Sequence, residues 1–385
     1  MKVLWFASWY PTAIHPFDGD FIQRHAEAVS LYHDVQVFKV VRDKEGSITN
    51  HVVIKENERG RLRESIIYYY SRPIAVQFID RIFSQLKYTR LYRKAIKEYL
   101  HTQGRPDLVH VHTGMKAGLL ASWLMRRKGI PYAVTEHWAG FLPEADKRFE
   151  DLPAYFRYGW TRTIQQSKGV QAVSTYLAND LKRLFGKQLP VTVIANVVNT
   201  QVFYPGEARD TITMCFIHVS GAAFQKNSMA VIEAFSILNR DGVIARLKVF
   251  GSTQELLKEK ANVYGLADSI TFYGEVPQPV LAAHMREANA LILYSRYETF
   301  GCVVIEANAC GLPVIASDIP IMHELIKEGE NGMFVKSEDP GELATALRSF
   351  SESPTTFDAA RIAKDAGSKY GYESIGKIIG DWYKL

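Results

Sequence analysis

Ala290-Leu291-Ile292-Leu293-Tyr294-Ser295-Arg296-Tyr297-Glu298-Thr299-Phe300-Gly301-Cys302-Val303-Val304-Ile305-Glu306-Ala307 reads as a strand, a loop and the start of a helix. The apolar run Ala290–Tyr294 is too short for a helix and suits a buried strand. The helix should run to about Cys310, where Gly311 suits a left-handed cap and Pro313 bars continuation. Pro313–Ser317 is the next strand candidate. Strand, helix and strand in this order make the repeating unit of a parallel sheet. Gly301 lets the backbone come close to a ligand. The amides from about Phe300 through Gly301 and Cys302 to Val303 point the positive end of the helix out of the loop, an anion site suited to a diphosphate.

The same alternation extends outward in both directions. In the first half, strand candidates are Val3–Ala7, Val35–Val41, Ile66–Tyr70, Leu108–His112, Tyr132–Glu136, Val170–Ser174 and Val191–Ala195. In the second half they are Thr213–Val219, Arg246–Phe250, Ser269–Tyr273, Ala290–Tyr294, Pro313–Ser317 and Gly332–Val335. Helical patterns such as Phe21–Leu31, Leu86–Leu100 and Met229–Asn239 fall between most of them. Two such series predict an α/β chain of two doubly wound domains. The joint is expected near Asn199–Asp210, which gives domains at 1–200 and 205–369. The apolar spacing within 370–385 makes a helical face that should pack back on the first domain. Open parallel sheets bind ligands beyond the carboxyl ends of their strands, so the ligand should sit in the cleft between the domains.

Composition narrows the class. The chain has 385 residues, 47% hydrophobic and 23% charged, as in soluble globular proteins. Cys215, Cys302 and Cys310 form no CxxC pair, which fits a reducing cytosol and no cysteine zinc site. The start, Met1 to Ala7, reads as a buried strand, because its apolar run stops at Pro11 without an A-x-A site. The longest mostly apolar run, Ala117 to Met125, is too short to span a bilayer. Residues 1–205 hold 29 basic and 18 acidic residues, a balance of +11, and the remainder holds 17 and 23, a balance of −6. The halves therefore face different environments. A nicotinamide dehydrogenase would need G-x-G-x-x-G after a strand, and Ser8-Trp9-Tyr10-Pro11 stands there instead.

Two carboxylates flank the helix start. Glu298 precedes it and Glu306 lies on its second turn, where each can accept hydrogen bonds from paired sugar hydroxyls. On their own they read first as a capping residue and a solvated side chain of a surface helix. The segment nevertheless resembles the signature of glycosyltransferase family 4, retaining enzymes of the GT-B fold. The likeness runs on through Glu306-Ala307-Asn308-Ala309-Cys310-Gly311-Leu312-Pro313-Val314-Ile315-Ala316-Ser317, His323-Glu324-Leu325-Ile326 and Gly329-Glu330-Asn331-Gly332. It also touches Phe272-Tyr273-Gly274-Glu275-Val276, Asn196-Val197-Val198-Asn199, His110-Val111-His112 and Thr135-Glu136-His137.

The resemblance implies transfer of a sugar from a nucleotide diphosphate donor bound mainly by the second domain to an acceptor bound by the first. It implies Glu306 at the ribose, Glu298 at the donor sugar, and Val276 near the base. Lys226 matches the family's phosphate lysine. Gly221 stands where the family usually places an arginine, so one phosphate charge must come from elsewhere, Arg296 being one candidate. His137 ends a strand and matches a family histidine near the donor sugar, with a core role as the alternative. His110 and His112 read as structural. Gly19 resembles the family's glycine-bearing loop after the first strand. Asp18-Gly19-Asp20 spells D-x-D, but the GT-B fold implies no metal and no cofactor beyond the donor, so a polar loop is expected.

The reading is a retaining glycosyltransferase, cytoplasmic and peripheral at the membrane, working in envelope or extracellular polysaccharide assembly on a sugar or lipid-linked acceptor. A small soluble acceptor and a non-catalytic nucleotide-sugar-binding protein are the alternatives. Residues 55–106 hold 12 basic against 5 acidic residues, interleaved with Tyr68, Tyr69, Tyr70, Tyr88 and Tyr92. An amphipathic segment around Phe83–Leu100 therefore suits an anionic membrane surface, and reads as well as an ordinary solvated helix whose tyrosines pack on the domain. No nucleic-acid recognition motif accompanies the charge.

Overall fold

A computed structural model describes residues 1–384 apart from 208–212, 221–222, 253, 337 and 354–356. The first half contains β1 (Lys2–Ala7), α1 (Asp20–Ser30), β2 (Asp34–Asp43), β3 (Val52–Arg59), β4 (Leu62–Tyr70), α2 (Gln77–Thr102), β5 (Leu108–His112), α3 (Ala117–Lys128), β6 (Tyr132–Glu136), α4 (Ala154–Gln165), β7 (Gly169–Ala172), α5 (Thr175–Phe185) and β8 (Val191–Val193). The second half contains β9 (Met214–Val219), α6 (Ser228–Arg240), β10 (Ala245–Phe250), α7 (Glu255–Val263), β11 (Ile270–Gly274), α8 (Gln278–Glu287), β12 (Ala290–Leu293), α9 (Cys302–Ala309), β13 (Val314–Ser317), α10 (Met322–Leu325), β14 (Gly332–Val335), α11 (Pro340–Glu352), α12 (Ala359–Tyr370) and α13 (Tyr372–Trp382).

The strands form two sheets, ordered β3-β4-β2-β1-β5-β6-β7-β8 and β11-β10-β9-β12-β13-β14. Every pairing is parallel except β3 with β4. Central strands are buried on both faces: Val3, Leu4, Trp5, Phe6 and Ala7 are all inside, as helices on both sides of a parallel sheet require. Strand order reverses between β1 and β5 in one sheet and between β9 and β12 in the other, and those reversals open the crevices where such sheets take ligands.

The chain crosses between the sheets twice. It leaves the first after β8 and returns to it at α13, whose Ile375 and Ile379 are buried in the cluster that also holds Ile22 and Val29 of α1. Burying such side chains is worth roughly 1.5–3 kcal/mol each. Gly376 lies so close to the Ala28 carbonyl that a Cβ would stand 2.1 Å from its oxygen. At the crossing, the Val198 amide donates to the Tyr370 carbonyl at 2.9 Å, and Val198 pairs with Gly371.

Two features differ from expectation. β3 was not anticipated: it is an edge strand of a hairpin with a mostly exposed face, so no buried alternation marks it. Helix α2 starts at Gln77, well before Leu86. One face of its central and last turns packs on the sheet: Tyr92, Ala95, Ile96 and Tyr99 are buried, and the Tyr92 hydroxyl donates to the Phe38 carbonyl at 2.6 Å. Among the described residues no helix is long and apolar enough to cross a membrane.

Candidate active site

The two strand-order reversals face each other across a cavity of about 700 Å3. A larger cavity of about 930 Å3 lies behind, between Tyr204–Glu207 and α12, but none of the expected site residues lines it. The smaller one gathers Glu298, Glu306, Lys226, His137 and Val276, with Phe300, Gly301, Cys302 and Val303 on its floor. Convergent charged groups in a concave wall identify the chemistry better than volume does.

The loops after β9 and β12 bring Lys226 and Glu298 together. Lys226 Nζ lies 2.5 Å from Glu298 Oε1. Ser295 Oγ donates to the same oxygen at 2.9 Å, and Gln225 Nε2 donates to Oε2 at 3.2 Å. The carboxylate is buried at 4% exposure, so these donors offset its lost hydration. Arg296 turns away: its Nη1 donates to the Phe224 carbonyl at 2.6 Å and its guanidinium stacks 4.3 Å from the Phe224 ring. It does not line the cleft. Gly221 lies outside the described residues.

Helix α9 begins at Cys302, with Gly301 as its cap at φ 94°, a conformation that favours glycine. Val304 N donates to the Gly301 carbonyl at 2.9 Å, so the amides of Cys302 and Val303 make up the open first turn. The Phe300 side chain packs inward on Tyr370, ring centroids 6.1 Å apart. Only its backbone can serve a ligand.

Glu306 faces the first domain. Its Oε1 accepts from Arg24 Nη1 at 2.6 Å, and Asp20 is 3.7 Å from Arg24 Nη2. Burial pushes the Glu306 carboxyl above its ordinary range, and the guanidinium opposes that rise. Arg24 is itself 3% exposed, and its Nε has no partner among the described residues. Sequence reasoning missed Arg24. On α1 it lies beside Ala28, on the side away from Ile22, Ala26 and Val29, so the apolar spacing gave no signal for its burial. Further bridges join the two halves: Gln278 to Asp20 at 2.7 Å, Tyr297 to Asp146 at 2.9 Å, Ser174 to the Thr299 carbonyl at 2.7 Å, and Glu324 to the amides of Thr175 and Tyr176, both 2.8 Å.

Gly19 is not part of the cavity wall, whereas its neighbours Asp18 and Asp20 are. Gly19 caps α1 at φ 70°, and a Cβ there would stand 2.5 Å from the Trp9 carbonyl carbon. Its conformation lets the loop fold against Trp9-Tyr10, between the two residues that line the cavity.

His137 is buried at 6% exposure, with its Nε2 3.3 Å from His112 Nδ1. Burial, with His25 and His110 nearby, holds it neutral, well below the ordinary histidine value. A neutral imidazole can accept one hydrogen bond and donate another. His110 is structural, bonded to the Tyr383 hydroxyl and to Thr135 Oγ1, both 2.6 Å. His25, His112 and His137 bring ring nitrogens within 4.8 Å of one another. A resident metal needs ligands oriented by outer partners. Here two nitrogens are spent on each other and both nitrogens of His25 have no partner, so the trio lacks that support.

Residues 208–369 match the model of glycosyl transferases group 1, and residues 26–202 match that of glycosyltransferase family 4. The chain belongs to glycosyltransferase family 4. It is 25% identical over 315 residues to a D-inositol 3-phosphate glycosyltransferase of Catenulispora acidiphila, covering 74% of this chain and 72% of that one. It is 27% identical over 261 residues to a glycogen synthase of Mycobacterium tuberculosis, covering 65% and 61%. Among solved structures, a sucrose-phosphate synthase from Thermosynechococcus elongatus superposes with a TM-score of 0.78 at 18% identity, covering 100% and 98%. Anabaena HepE in complex with UDP-glucose superposes at 0.71 and 18%, covering 100% and 99%. This family 4 member has the GT-B fold and is a glycosyltransferase that uses a nucleotide sugar.

Proposed function

We propose that the protein is a retaining glycosyltransferase whose donor lies between Glu306 and Glu298. The observation that carries this reading is the convergence of Lys226, Glu298, Glu306 and the α9 amides from one domain with His137 from the other. Glu306 takes the ribose hydroxyls, and Val276 borders the base. The Cys302 and Val303 amides and Lys226 take the diphosphate. Glu298 holds the lysine in place and borders the donor sugar, and His137 bonds a sugar or acceptor hydroxyl.

In the reaction, the bond from the anomeric carbon to the phosphate oxygen breaks. The acceptor oxygen bonds to that carbon on the same face, and its proton passes to the departing phosphate. The protein stabilises developing phosphate charge and holds both substrates in place. Lys226 and the helix amides place positive charge at the departing phosphate, and a metal is not part of this reading. A panel of UDP- and GDP-sugars screened by thermal shift tests donor binding. Transfer to added acceptors then separates an enzyme from a binder.

The acceptor side faces a membrane in this reading, in envelope or extracellular polysaccharide assembly. Ile74, Val76, Phe78, Ile82, Phe83 and Leu86 are exposed, Phe78 to 71%. Phe78, Ile82 and Leu86 recur every four residues on one face of α2. Arg72, Arg81 and Arg90 are exposed around them, which suits an anionic lipid surface. This face spans the start of α2 and the first turns of the Phe83–Leu100 segment.

A further inference from the structure

A diphosphate brought into a water-poor cleft needs more than one cation, and the family's arginine position holds Gly221, which carries no charge in any conformation. Lys226 is already 2.5 Å from Glu298, and Arg296 is bound to Phe224 outside the cavity. Lys147 also borders the cavity. Arg24 is the guanidinium in its wall. It is buried, 2.6 Å from Glu306 and within electrostatic reach of Cys302 at the start of α9. One carboxylate takes one short bond from it. Asp20 at 3.7 Å is too far for a hydrogen bond, and Nε has no partner among the described residues. A buried guanidinium with five donors and so few acceptors has unused capacity for a bidentate anion.

We propose that Arg24 is the second diphosphate cation of this enzyme, supplied by the first domain in place of the family arginine of the second. Its present partner is the carboxylate that the reading above assigns to the ribose, and the inference rests on that reading. Ribose hydroxyls take up the Glu306 carboxylate as the donor enters. The guanidinium turns from Glu306 to the neighbouring phosphate, where its planar fork makes two parallel hydrogen bonds. Donor binding thereby exchanges one ion pair for a phosphate clamp, with no charge left without a partner. Because Arg24 stands on α1 and Lys226 on the loop after β9, the clamp is complete only when the domains are apposed.

The test compares the nucleoside diphosphate that the wild type prefers, UDP or GDP, with its nucleoside, by calorimetry on the full chain. Arg24→Gln should weaken diphosphate binding by about tenfold to a hundredfold. It should leave nucleoside affinity unchanged or higher, because Glu306 is released. Arg24→Lys should recover part of the loss and a steeper salt dependence. The ratio of the two affinities is insensitive to a general loss of folded protein, and a melting curve for each variant reports that loss separately. Wild-type diphosphate affinity in Arg24→Gln overturns the proposal. So does a parallel loss of diphosphate and nucleoside, which would make Arg24 a support for Glu306 alone. A wild-type chain that binds neither ligand removes the ribose and diphosphate reading itself, and this inference with it.

Discussion

Lys226 Nζ and Glu298 Oε1 stand 2.5 Å apart on loops that leave the adjacent strands β9 and β12. Each loop alone would leave a buried charge uncompensated. Pairing the strands makes the loops neighbours and settles both. The lysine is the more exposed partner, 26% against 6%, so it can turn toward a ligand while Glu298 stays held by Ser295 and Gln225.

Removing that lysine should therefore affect phosphate chemistry more than folding. Lys226→Gln is expected to lower kcat/KM by about tenfold to a hundredfold, the value of one or two charge-assisted hydrogen bonds. Steady-state kinetics with the preferred donor measure it. Unchanged kcat/KM would remove Lys226 from the donor site.

The two glutamates should separate by kinetic parameter. Glu306→Ala is expected to raise the donor Kd by about tenfold or more, through loss of a ribose partner. Glu298→Ala is expected mainly to lower kcat, because it releases Lys226 and the donor sugar together. Calorimetry and turnover on both variants check this, and equal Kd values for Glu306→Ala and wild type would remove the ribose role.

Stereochemistry and metal dependence test the reaction itself. Product anomeric configuration by NMR should match the donor, and activity should survive EDTA. Inversion would contradict the front-face displacement. Loss on chelation with recovery on manganese would bring Asp18 and Asp20 into the chemistry.

Acid should unfold the protein in a way its buried histidines dictate. Burial holds His25 down to about 3 and His218 to about 4, and holds His110, His112 and His137 well below the ordinary value. Unfolded histidine titrates near 6.5. Between that pH and the folded values the unfolded chain binds more protons. Stability is thus present above about pH 6.5 and lost as pH falls, at up to about 1.4 kcal/mol per histidine per pH unit. Glu136 works the other way. Burial pushes its carboxyl from 4.5 up to about 7, so stability is lost as pH rises through that window. Glu136→Gln retains the oxygen that accepts from Gly114 and Trp160 and should be more stable than wild type at pH 8. Melting curves from pH 8 to 5 decide both points, and a flat wild-type Tm between pH 7 and 5 would refute the histidine account.

Vesicle sedimentation checks the surface of α2. Binding should require anionic lipid and weaken with salt. Phe78→Ser with Phe83→Ser should reduce it without changing donor affinity. A wild-type chain that ignores anionic vesicles at low salt favours a soluble acceptor.

Local chemistry made the 290–317 unit legible: an apolar strand, Gly301, Gly311 and Pro313 mark each boundary. β3 escaped notice because Lys55, Glu56, Glu58 and Arg59 lie on an exposed edge with no core face to alternate against. The tyrosines of α2 left two readings open because a tyrosine serves a core or a lipid headgroup equally well, and the sheet beneath shows that Tyr92 serves the core. The pair of Arg24 and Glu306 joins residues 282 positions apart. No local spacing encodes such a contact; it follows from the way two sheets meet.

Val198 and Gly371, paired side by side, mark both places where the chain passes from one half to the other. Two adjacent pins on a door permit a swing and resist sliding or shear. A rotation of the two halves about that line would keep the 2.9 Å bond from Val198 to Tyr370 intact. The gap at any point grows with its distance from that line. A small turn there would move Arg24 and Lys226 apart while the ends of the chain crossings stay fixed, and substrate entry by that route would need leverage rather than rearrangement of either sheet.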